Sequence, residues 1–114
     1  MSRDSAYLVD ILEAARLARE YVAGKTSEEF LQDTQCQDAV IRRLEIIGEA
    51  ARRLSDETRK ALPSLPFLDM ADMRNFLIHN YDDVDLSIVW DTVQNDLPPL
   101  ITALEKNVPT DETP

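Results

Sequence analysis

Apolar residues recur along this chain at spacings of three and four and nowhere alternate, so the pattern predicts helices and no strands. Leu8, Ile11, Ala15, Ala18 and Val22 form the stripe of a helix over 4–22, with Asp4 or Ser5 as its cap and Gly24 just past its end. Thr26 followed three positions later by Glu29 fits a capping box for a short helix near 27–32. Val40, Leu44, Ile47, Ala51 and Leu54 mark the buried side of a third helix over 36–54, where Gly48 suits close approach of a neighbouring helix. Asp56 can cap a short turn through Ala61, and Pro63 and Pro66 then break the chain. A fourth substantial helix is predicted over 67–80. Asp85 caps the last one, whose seam is Leu86, Trp90, Val93, Leu97, Leu100 and Leu104. That seam continues through Pro98-Pro99, so the prolines are expected to kink or restart the helix rather than end it.

These elements sum to an all-α fold, an antiparallel bundle of four or five helices. A chain of 114 residues fits one domain, taken as 1–108 with a frayed tail over 109–114. With 44% hydrophobic residues and only two glycines, it can fill a core and favours helix. One cysteine, Cys36, allows neither an internal disulfide nor a multi-cysteine zinc site, and a reducing cytoplasmic setting is expected. No signal-peptide pattern or membrane-length apolar run is present.

Charge complicates any nucleic-acid reading. The formal net charge is −10, opposite to the usual footprint of a polyanion binder. Its distribution is uneven: Arg42, Arg43, Arg52, Arg53, Arg59 and Lys60 crowd one segment, whereas Asp69 to Asp96 holds seven aspartates against Arg74.

The chemistry sits in that acidic stretch. Arg74-Asn75-Phe76-Leu77-Ile78-His79, closed by Tyr81, contains the only histidine and forms the pattern R-x4-H-x-Y. Arginine offers phosphate a permanent charge and a fork of donors. Histidine takes and returns protons near neutrality. Together they are a minimal kit for breaking a phosphodiester without a metal. On a regular helix Arg74 lies about 140° round from His79, so one copy does not bring both onto one phosphate. Two copies about a twofold axis would, each His79 facing the partner's Arg74. Judged on spacing alone, a lone histidine at a helix end more often caps a carbonyl or faces solvent, and an arginine among aspartates more often makes ion pairs.

The string Met73 to Tyr81, followed by Val84-Asp85 and Val89-Trp90, resembles the HEPN-domain toxins of the HepT type, partners of minimal nucleotidyltransferase antitoxins (MntA). The segment Gln37 to Ala51 is similar to the same family's third-helix signature, and the likeness spans roughly 5–105. This resemblance implies a HEPN bundle that forms a homodimer and a metal-independent endoribonuclease needing no cofactor. It places the catalytic pair on Arg74 and His79, with Asn75 in support. It also implies an antitoxin that silences the toxin by moving AMP from ATP onto Tyr81. On the third helix, Arg42 and Arg53 are candidate RNA contacts, set against a solvated ion-pair face as the plainer reading. The competing functional reading is a non-catalytic helical adaptor for a nucleotidyltransferase partner.

Overall fold

A computed structural model of the chain describes residues 3–66, 69–72 and 84–108. Its helices are α1 (Arg3–Val22), α2 (Ser27–Leu31), α3 (Thr34–Arg52), α4 (Asp56–Ala61), α5 (Leu86–Asp91) and α6 (Leu97–Asn107). A π-helical segment, Thr92–Asp96, joins α5 to α6 without a break. No strand occurs among the described residues. None of the described helices is long and apolar enough to cross a membrane.

Side-chain contacts fix the order of the bundle. Asp4, at the start of α1, meets Ser55 beyond the end of α3, while Cys36 near the start of α3 donates its thiol to the Tyr21 carbonyl near the end of α1. These helices are therefore antiparallel. Arg19 reaches Val93 and Gln94, and Arg16 pairs with Glu105 at 2.7 Å, so α1 also runs antiparallel to the last helix. Being flanked on two sides explains why α1 buries more than one stripe. Leu12 and Ala14 join the expected Leu8, Ile11, Ala15, Ala18 and Val22. Small alanines at 14, 15 and 18 let both neighbours come close. The short α2 docks by Phe30, fully buried, whose ring meets Trp90 at a 5.4 Å centroid separation.

Several boundaries differ from those the sequence predicts, each for a local reason. The third helix begins at Thr34 because Asp33, not Cys36, holds its first turn, its carboxylate accepting the Cys36 N–H at 3.0 Å. Ser55 rather than Asp56 caps α4, its hydroxyl accepting the Thr58 N–H. Asp4 lies inside the first turn of α1, and its carboxylate accepts from the Ser55 N–H and from the hydroxyls of Ser55 and Thr58. The Thr26–Glu29 capping box is present in both directions, and Gly24 ends α1 with φ +78°. Nothing lies within 4 Å of where a Gly24 Cβ would sit, so backbone freedom rather than space selects glycine there.

The last helix continues through Pro98-Pro99, as its apolar pattern requires, by widening ahead of them. The Leu97 N–H bonds to the Thr92 carbonyl, five residues back, which leaves Val93 facing a proline without an N–H. Arg19 donates to that Val93 carbonyl at 3.4 Å and to the Gln94 side chain at 3.0 Å. A wide turn holds more residues per revolution and so rotates the upstream half. Val89 is fully buried as a result, while Trp90 and Leu86 are only partly covered.

Candidate functional site

Arg74, Asn75, His79 and Tyr81 lie outside the described residues, as does most of the helix predicted over 67–80. The described chain on either side shows what precedes and follows that stretch. After α4 the chain turns, with Leu65 and Met70 buried as apolar anchors. Residues 69–72 are helical, opened by a hydrogen bond from the Met70 N–H to the Pro66 carbonyl. Two prolines in this approach limit its conformations before the helical turn begins. On the far side, the Asp85 carboxylate accepts from the backbone N–H groups of Ser87 and Ile88. The capping role read for Asp85 is met. A buried methionine and a helix cap thus bracket the segment that carries the motif.

Arg42 on α3 and Arg53, the residue that caps its C-terminal end, are both exposed. Each guanidinium has a carboxylate neighbour, Glu45 at 3.4 Å for Arg42 and Glu49 at 3.5 Å for Arg53. Exposed pairs of this kind contribute at most about 1 kcal/mol, so a phosphate can compete for either arginine. The basic segment is less uniform than its sequence suggests. Arg59 donates to the Ala51 and Arg52 carbonyls and so closes the end of α3. The Arg43 Nε is fully covered and finds no hydrogen-bond partner among the described residues.

Beside the approach to the motif lies a cavity of about 450 Å³ between α3, residues 64–66 and 69–70, and the last helix with the π-helical turn before it. Leu44, Ile47 and Leu100 belong to its apolar floor, and Ser64, Asp69, Asn95 and Asp96 supply polar groups. Sequence reasoning missed these polar positions. The one available signal was the Pro98-Pro99 pair, which distorts the helix where Asn95 and Asp96 sit.

Two carboxylates are tuned away from the site. Asp4 is held below its ordinary value by the Ser55 hydroxyl and then the Thr58 hydroxyl. Asp33 is lowered by the Cys36 N–H and then by Lys25, 3.3 Å away. The Cys36 thiol is pushed up, mainly by burial and then by the charge of Asp33.

Comparison with known proteins gives this frame a context. A family model described as Ribonuclease HepT-like matches residues 11–107. A protein of Thermococcus cleftensis named "Probable ribonuclease HepT" is 44% identical over 100 residues, covering 88% of this chain and 91% of that protein. A Methanocaldococcus jannaschii protein named as a candidate RNase is 38% identical over 100 residues, or 88% of this chain and 92% of its own. In the same organism a protein named for gamma-glutamylcyclotransferase and candidate RNase functions is 45% identical over 94 residues, covering 82% of this chain and 42% of that protein. No solved structure matches.

Proposed function

We propose that this chain, which belongs to the HepT-like ribonuclease family, cuts RNA with Arg74 and His79 and needs no metal to do so. The observation that supports this reading is the family match over 11–107, within which Arg74, Asn75, His79 and Tyr81 fall.

In this mechanism His79 accepts the proton of a ribose 2′-hydroxyl as its oxygen attacks the adjacent phosphorus. The 5′-oxygen of the next nucleotide leaves and takes a proton from water, and a 2′,3′-cyclic phosphate remains. Arg74 holds the phosphate and offsets the negative charge that grows on it. Asn75, four positions before His79, orients the imidazole or donates to the same phosphate. The site is completed by a second copy of the chain, since a regular helix separates Arg74 from His79 by about 140°. Arg42 and Arg53 are the candidates for holding flanking phosphates.

The biological setting that fits is a toxin restrained by a nucleotidyltransferase antitoxin, with Tyr81 as the tyrosine that receives AMP. A bulky anion two residues from His79 would both fill the cleft and repel RNA.

The net charge of −10 favours a second reading, an adaptor that presents Tyr81 to such an enzyme without cutting RNA. One experiment separates the two. Purified wild type is expected to cleave RNA in EDTA, and His79→Ala to lose about 10²–10⁴-fold in rate. Cleavage that requires added magnesium overturns the metal-free mechanism. Inactivity of wild type and variant alike selects the adaptor.

A further inference from the structure

The cavity beside residues 64–66 and 69–70 is the right size for a small ligand, and its chemistry is one-sided. At about 450 Å³ it lies within the usual range for ligand pockets. Its floor, which includes Leu44, Ile47 and Leu100, is aliphatic. Its polar groups come from two directions, Ser64 and Asp69 from the segment before the motif and Asn95 and Asp96 from the π-helical turn. All four residues are exposed, and among the described residues none of their side chains makes a hydrogen bond or ion pair, so a ligand competes for them only with water. No cationic side chain is among the described lining residues. Acceptors, including both oxygens of two carboxylates, outnumber donors.

Such a lining repels phosphate and selects a flat group that carries donors. The RNA bases differ in this respect. Guanine presents two adjacent donors, N1–H and the N2 amino group, which match one carboxylate in bidentate fashion. Uracil offers one donor between two carbonyls, and adenine and cytosine set their amino group beside an acceptor nitrogen. The apolar floor suits the face of a base as well as its edge suits the rim. Position along the chain agrees, because Asp69 precedes Arg74 by five residues, no more than about 18 Å of fully extended chain.

The geometry points to this cavity as a guanine-reading pocket, in which a base flanking the scissile phosphate stacks on Leu44, Ile47 and Leu100 and pairs with Asp69 or Asp96. The inference rests on the ribonuclease reading above and adds a base preference to it. RNA phosphates stay outside the pocket, at the motif and the α3 arginines.

The test separates binding from cleavage. Guanosine, adenosine, cytidine and uridine, which carry no phosphate, are titrated into the full chain and followed by NMR or calorimetry. Guanosine is expected to bind at least about tenfold more tightly than the others. Asp69→Asn or Asp96→Asn should remove that margin, and Ala103→Phe, which fills the cavity from α6, should abolish binding. Cut sites mapped at nucleotide resolution should cluster beside guanosine in wild type and lose that bias in the variant that loses binding. Equal or absent binding of all four nucleosides overturns the proposal. So does an arginine-rich peptide that competes for the cavity while guanosine does not, which would make it a protein-docking site. His79-dependent cleavage without guanosine binding sinks the pocket and leaves the nuclease reading intact. Guanosine binding without His79-dependent cleavage supports the pocket and sinks the nuclease reading.

Discussion

At Asp4 one carboxylate ties together segments 51 residues apart, accepting from the Ser55 backbone and from two hydroxyls at the head of α4. Those bonds favour the charged form and hold the Asp4 pKa below its ordinary 3.8. A lowered carboxylate pKa adds stability that is fully present above that ordinary value and is lost as pH falls through the folded value. Asp33 acts in the same direction and the same window. Urea midpoints at pH 7 and pH 3 should therefore differ less in Asp4→Asn than in wild type. The sequence offered Asp4 or Ser5 as a cap for the first helix because capping rules are local; a partner 51 positions away leaves no trace in spacing. Thr26, whose partner Glu29 is three residues off, was legible for the same reason. Tyr81 carries a different prediction at this scale. Tyr81→Phe should keep RNA cleavage yet gain no AMP mass when incubated with ATP and a nucleotidyltransferase partner. A mass gain mapped to another residue would remove Tyr81 from the regulatory proposal.

For whole elements, periodicity told most and distortion least. The stripes of α1 and α3 were readable because a regular helix returns the same face every three or four residues. The last helix was readable downstream of the prolines, at Leu97, Leu100 and Leu104, and misread upstream, where Val89 replaces Trp90 at the core. Spacing rules assume constant rotation per residue, and the π turn breaks that assumption. Arg19 is the other half of this arrangement. It serves the Val93 carbonyl that Pro98 cannot, so Arg19→Ala should cost roughly 1–3 kcal/mol in chemical denaturation. Replacing Pro98 with alanine in that background restores an N–H and should recover part of the loss. A simple sum of the two single effects would show that they do not share the carbonyl.

For the whole molecule, the dimensions are 40 × 34 × 20 Å, and the thin direction is about two helix diameters. The all-helical bundle class was legible because short connections force antiparallel neighbours; which helices flank α1 was not. The second copy is a matter of site geometry, and complementation tests it. In a dimer where His79 of one subunit works with Arg74 of the other, Arg74→Ala and His79→Ala chains are each inactive alone. A heterodimer of the two rebuilds one intact site and doubles the damage in the other. Random mixing should restore about one quarter of wild-type cleavage. If both residues act within one subunit, mixing restores nothing. Light scattering on the same samples shows whether subunits pair at all.

The π turn has one more consequence, for length rather than chemistry. Losing a single residue inside a helix ordinarily swings everything beyond it to the wrong side. Between Thr92 and Asp96 the opposite holds, since the buried positions Val89, Val93 and Leu97 stand four and four apart. Removing Asn95 would make that spacing four and three, which an ordinary α-helix accommodates. This stretch is the place where the chain can be shortened with its packing kept, and one of the groups that rim the cavity, Asn95, is what would go.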